Sequence, residues 1–210
     1  MRRLARGTVA ALAALALTAC GAPAAAVRPV GSASAKTYGG AELTQPYTMP
    51  DATLTDSAGQ RFALRSGTDK PVVVVFFGYT NCPDICKTTL SDLASALNRV
   101  SPETRGKIQV LLITTDPERD TPAVLKAYLE RFDPSFIGLT ADLDEIKKIG
   151  ASMGVVVEGT TKTADGGYEV NHSTQVIAFD ADRRGRLVWT QGTAIGAFKD
   201  DFERFAATQG

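Results

Sequence analysis

Cys82 and Cys86 stand four residues apart, directly after the apolar, β-branched run Val72 to Phe77 and where an amphipathic pattern begins. Side chains at that spacing share one face of a helix, so both sulfurs can address one spot. The amino terminus of a helix presents partial positive charge and free N–H groups, which favour a thiolate. Thiolates attack disulfides and bind soft metals. The pair could also close a plain disulfide, which would stabilise little because the enclosed loop is so short. Redox enzymes commonly space their cysteines as Cys-x-x-Cys; the extra residue here alters the sulfur geometry and makes metal binding a competing use.

The surrounding pattern supplies the elements that must position this pair. Val72 to Phe77 reads as a strand buried on both faces, and Leu90, Leu93, Ala94 and Leu97 mark the helix that follows, over Cys86 to Val100. Ile108 to Thr115 is a second buried strand, and Asp120-Thr121-Pro122 opens a helix with a capping residue and an early proline. Phe136 to Leu139 is a short strand, Leu143 to Met153 a helix, and Val155 to Glu158 extended. Asp165-Gly166-Gly167 marks a hairpin tip. Thr174 to Phe179 and Leu187 to Thr190 flank a turn-rich segment and form an antiparallel pair; Ile195, Phe198, Phe202 and Phe205 recur at helical spacing. These βαβ units, hairpin and closing helix predict an α/β fold: a thioredoxin-like mixed sheet with helices on both faces and an inserted hairpin.

His172, the one histidine of the chain, immediately precedes the strand beginning at Thr174. In a thioredoxin layout that position faces the cysteine-bearing helix start. Thioredoxin enzymes place a cis-proline there, but this chain has no proline after Pro134. Two thiolates and one imidazole form a soft, three-coordinate set suited to Cu(I), with an open or weakly filled position that accommodates Cu(II). Zinc would want a fourth donor. Asp116, at the end of the second buried strand, lies on the carboxyl edge of the sheet, where ligands gather; it could equally be a turn and helix-start residue.

Of 210 residues, 44% are hydrophobic and 22% charged, which excludes a disordered, collagenous or multi-span membrane chain. Three cysteines are too few for a disulfide scaffold. Arg2, Arg3 and Arg6 precede the apolar run Val9 to Leu17, which is shorter than the ~20 residues needed to span a bilayer, so residues 1–19 read as a signal peptide. Leu17-Thr18-Ala19-Cys20-Gly21 resembles the lipobox of bacterial lipoproteins, whose cysteine becomes the lipidated first residue. Cleavage before Cys20 leaves 20 basic against 23 acidic groups, a charge of −3 that argues against a nucleic-acid partner. Residues 20–45, rich in Ala, Gly, Ser, Pro and Thr, read as a lipid-anchored tether, and 46–210 as one copper-binding domain.

The segments Gly78-Tyr79-Thr80-Asn81-Cys82-Pro83-Asp84-Ile85-Cys86, Thr115-Asp116-Pro117-Glu118-Arg119-Asp120-Thr121-Pro122 and Asn171-His172-Ser173 resemble, in order and spacing, the three signature blocks of the Sco/SenC family. The resemblance runs over about residues 45 to 208. It implies a membrane-anchored, thioredoxin-like protein on the extracytoplasmic face of the bacterial cell membrane. Such a protein binds one copper ion through Cys82, Cys86 and His172, with Asp116 beside the site. It acts as a chaperone rather than an enzyme, taking copper from a donor protein and helping to assemble the CuA centre of cytochrome c oxidase on the subunit that carries it. Lys87 departs from the family, many of whose members have proline after the second cysteine; a cation there could favour the Cys86 thiolate. The competing reading is a thiol-disulfide reductase that keeps the CuA cysteines reduced, with Cys82 as nucleophile and Cys86 as resolving thiol. A copper or redox sensor is a third.

Overall fold

The computed structural model of the chain describes residues 38–164 and 166–209. The signal-peptide, lipobox and Cys20 readings, most of the tether, and Asp165 at the hairpin tip lie outside the described residues.

A continuous apolar run has no polar face to offer water, so it folds at the centre of a sheet. Strand β4 (Val72–Gly78) is buried at every residue. It pairs in parallel with β5 (Ile108–Thr114), in unbroken register from Val72 opposite Ile108 to Gly78 opposite Thr114. A third parallel strand, β6 (Ile137–Thr140), follows on the far side of β5. The connections are helical: α1 (Ile85–Leu97) and the short α2 (Pro102–Gly106) lead from β4 to β5, and α3 (Pro122–Leu129) leads from β5 to β6. Helix α3 starts as its sequence dictates, with the Thr121 side chain accepting from the Val124 N–H and Pro122 in the first turn. On the other side of β4 lie two antiparallel strands, β9 (Val176–Phe179) and β10 (Arg184–Trp189). After α4 (Leu143–Ser152) comes a hairpin of β7 (Val157–Lys162) and β8 (Tyr168–His172), which forms a two-stranded sheet of its own. The closing helix α5 (Ile195–Ala207) packs against α1. The thioredoxin-like mixed sheet and the inserted hairpin are thus present.

The described fold begins before residue 46. Strand β1 (Ala41–Thr48) pairs antiparallel with β10 along one edge of the eight-stranded sheet, inside the stretch read as tether. An edge strand keeps most of its side chains in solvent and tolerates a proline, here Pro46, so its composition resembles a linker. Its anchorage lies just upstream: the buried Asp201 carboxylate accepts from the N–H groups of Gly39 and Gly40, 2.8 Å each, and from Trp189 Nε1 at 2.7 Å. A Cβ on Gly40 would lie 2.6 Å from that indole nitrogen, so only glycine fits. At the opposite edge, the unexpected pair β2 (Thr53–Asp56) and β3 (Arg61–Ala63) buries Leu54 and Phe62, and β2 joins β6. Strands of four and three residues are too short to show a period.

Candidate metal and redox site

Strand β4 ends at Gly78, where no side chain fits: a Cβ would sit 2.9 Å from the Cys86 sulfur. The chain then turns through Tyr79 to Asp84, and α1 starts at Ile85. The turn is fixed from below by Asp120, fully buried, whose carboxylate accepts from the Thr80 N–H at 3.0 Å, the Thr80 hydroxyl, and the Thr114 hydroxyl at 2.7 Å. Burial pushes the Asp120 carboxyl above its ordinary pKa, against these three bonds.

The two cysteines approach one another, but not on one helix face: Cys82 lies in the turn and only Cys86 is in α1. The Cys86 N–H donates to Cys82 Sγ at 3.4 Å, and both residues are free thiols, 6% and 0% exposed; the disulfide between them is not formed. The Cys86 thiol donates a hydrogen bond to Cys82, which is the main cause that lowers the Cys82 pKa to about 6. Burial opposes the shift, while the N–H groups of Cys86 and Asp84 and the nearby His172 add to it. Cys86 moves the other way, because it donates its proton to Cys82 and is buried. Cys82 is therefore the more acidic thiol of the pair. The Lys87 ammonium lies on the exposed side of the helix, 3.3 Å from the Pro83 carbonyl.

His172 ends β8 and lines a cavity of about 270 Å³ together with Tyr79, Cys82, Ile85 and Val170. Its Nδ1 lies 2.8 Å from the Ser173 carbonyl. A carbonyl can only accept, so Nδ1 carries the proton and Nε2 keeps its lone pair for a ligand. The imidazole stands edge-on to the Tyr79 ring, centroids 5.8 Å apart. Among the described residues no three His, Cys, Asp or Glu groups stand at metal-holding distances. The three expected ligands thus come near one another without closing on a point: Cys82 and His172 line one cavity, and Cys86 lies buried behind Cys82, to which its N–H donates.

Asp116 does not join this cluster. Its carboxylate, 4% exposed, pairs with Arg119 Nε and accepts from the Tyr168 hydroxyl at 2.9 Å. It is thereby tied to the hairpin that bears His172 and not to the sulfurs. Tyr79, Arg119, Asp120 and Tyr168 were missed as site residues. The spacing of Asp116, Arg119 and Asp120 inside one motif was the available signal; nothing local marks the tyrosines.

Residues 40–207 match the SCO1/SenC family model. A candidate copper-binding protein of Stutzerimonas stutzeri is 35% identical over 147 residues, covering 69% of this chain and 71% of that protein. Mitochondrial SCO1 of Saccharomyces cerevisiae is 36% identical over 152 residues, covering 72% of this chain and 49% of that protein, so the match spans about half the yeast protein's length. Among solved structures, copper-bound ScoI of Bradyrhizobium japonicum matches at a TM-score of 0.65 and 33% identity, over 76% of this chain and 97% of that one.

Proposed function

The chain belongs to the SCO1/SenC family, and from that premise we propose that it is a membrane-anchored, extracytoplasmic copper chaperone serving the CuA centre of cytochrome c oxidase. The observation that carries the reading is Cys82, bonded to the N–H of the buried Cys86, sharing one cavity with an imidazole whose Nε2 is left free. The donor set fits copper: two sulfurs and one imidazole nitrogen are soft ligands, and the low pKa of Cys82 supplies one thiolate before metal arrives. Copper is the cargo. Binding displaces the proton that Cys86 shares with Cys82, so loading releases a proton, and it needs both thiols reduced. Closing the set requires His172 and the sulfurs to draw together, and His172 is carried on a hairpin that is separate from the main sheet.

Anchoring through Cys20 fits the register of β1. Ala41 pairs with Val188, next to Trp189, which pairs with Val176 opposite Phe76. The chain therefore enters the domain at the end of the sheet where β4 delivers the cysteine loop.

A thiol-disulfide reductase is favoured by one observation, the pairing of a low-pKa Cys82 with a buried Cys86 that can resolve a mixed disulfide. Titration of the reduced protein with Cu(I) against a competing chelator separates the readings. The chaperone reading expects one copper per chain with sulfur and nitrogen donors in the X-ray absorption spectrum, and weaker binding in His172→Ala. Equal affinities in the two proteins would favour the reductase.

A further inference from the structure

The hairpin that presents His172 has no strand pairing with the eight-stranded sheet. A two-stranded hairpin is marginally stable alone, so its position depends on side-chain ties. Three such ties converge beside the site. The Val170 N–H donates to the Tyr79 hydroxyl at 3.2 Å, the Tyr168 hydroxyl donates to Asp116 Oδ1 at 2.9 Å, and Arg119 Nη2 donates to the Tyr168 carbonyl at 3.2 Å.

Arg119 joins them. Its Nε is paired with the buried Asp116 carboxylate, and its guanidinium carbon lies 3.7 Å from the centroid of the Tyr168 ring and 5.8 Å from that of Tyr79. Tyr79 belongs to the cysteine loop and stands against the His172 imidazole. One planar cation thus holds a carboxylate at the end of β5, an aromatic ring and a carbonyl of the hairpin, and borders the aromatic ring that touches the imidazole. A lysine cannot reproduce this, because the ammonium is a point donor without a flat face or a fixed fork.

We propose that Arg119 is a positioning residue that clasps β8 to the sheet and so sets where His172 stands relative to Cys82 and Cys86. The role of the imidazole toward copper rests on the function proposed above; the clasp itself does not.

The test uses the reduced, metal-free full chain and the variants Arg119→Gln, Arg119→Lys and Tyr168→Phe. In Arg119→Gln, amide hydrogen exchange of Glu169 to His172 should rise at least about tenfold while that of β4 and β5 is unchanged. Cu(I) affinity should fall about tenfold or more, as for other groups that orient a metal ligand. The alkylation rate of Cys82 should hold, because its thiolate is made by Cys86 and the loop amides. Arg119→Lys should resemble Arg119→Gln; if it matches the unaltered protein in β8 exchange, charge alone suffices and the clasp is overturned. Unchanged exchange in β8 of Arg119→Gln overturns it as well. Should Arg119→Gln loosen β4 and β5 too, Tyr168→Phe decides, since it deletes only the bond to Asp116: a selective rise in β8 exchange supports the clasp, and none refutes it. A loosened β8 together with copper binding that is indifferent to His172→Ala would sustain the clasp and reject the copper site; a rigid β8 with copper lost in His172→Ala would do the reverse.

Discussion

The backbone N–H of Cys86 points at the sulfur of Cys82, 3.4 Å away, across the first turn of α1. The four-residue spacing makes this possible: the second cysteine is the second residue of the helix, where its N–H has no intrahelical partner, and the sulfur of the first takes the place of a capping acceptor. Asp84, which holds the cap position, makes no side-chain capping bond of its own. The site therefore has an asymmetric pair, one thiol stabilised as its anion and one kept protonated.

That asymmetry sets the pH behaviour of the reduced protein. Alkylation of Cys82 should follow a single titration with its midpoint at about pH 6, falling below that pH as the thiolate is protonated, while Cys86 stays unreactive. The sign for stability follows from the same shift. A thiol lowered from the ordinary 9.0 to about 6 contributes stability that is complete above pH 9 and is lost as the pH falls toward 6. Cys86, raised, contributes in the opposite sense, and that stability declines as the pH climbs beyond 9. An alkylation midpoint near 9 would show that the bond between the two thiols is absent in solution.

Gly78 is the point where this pair meets the sheet. Adding a methyl would bring a carbon within 2.9 Å of Cys86 Sγ and 3.0 Å of Phe76 Cε1, both in a fully buried environment. Gly78→Ala should cost about 1–3 kcal/mol in urea denaturation, the usual range for overpacking a core. By displacing the Cys86 donor it should also move the Cys82 midpoint upward. A loss of stability with an unmoved midpoint would mean that the strand and not the sulfur gives way.

Asp120 tests whether the cysteine loop is held from beneath. Asp120→Ala strands the Thr80 and Thr114 donors in a buried site and should destabilise the fold by about 3 kcal/mol or more. Asp120→Asn keeps one acceptor oxygen and should cost less. If both variants unfold at the same urea concentration as the parent, these bonds contribute nothing.

The central strands, all the helices but α2, and the cysteine pair were legible because their signals are local: a run of Val72 to Phe77, a period of apolar residues, a spacing of four. The edges were not. Strand β1 is fixed by Asp201, 161 residues beyond Gly40, and by an indole that leaves no room for a side chain at that glycine. No window of sequence contains that relation. Asp116 shows the same limit. Its place at the carboxyl edge was readable, yet its partner Tyr168 lies 52 residues away and redirects it from the sulfurs to the hairpin. The proximity of His172 to the cysteines came from topology: β8 returns the chain to the sheet end where β4 ends, although the imidazole stops short of a closed metal cluster.

His172 separates metal chemistry from sulfur chemistry because it serves the two unequally. It comes last among the causes that lower the Cys82 pKa, after the Cys86 thiol and the loop amides, so His172→Ala should leave the alkylation midpoint and the rate of thiol exchange nearly unchanged. The same change removes the one nitrogen donor of the proposed copper set and leaves two sulfurs, which should weaken Cu(I) binding by a factor of about 10 or more. In cells that depend on this protein for CuA, the chaperone reading then expects oxidase lacking CuA despite a working thiol pair. Reductase action expects normal CuA, since the sulfurs alone would do the work. Optical measurement of CuA in membranes of a His172→Ala strain, alongside the thiol exchange rate of the purified variant, distinguishes them: full CuA content with unaltered exchange would reject the copper role assigned to the imidazole.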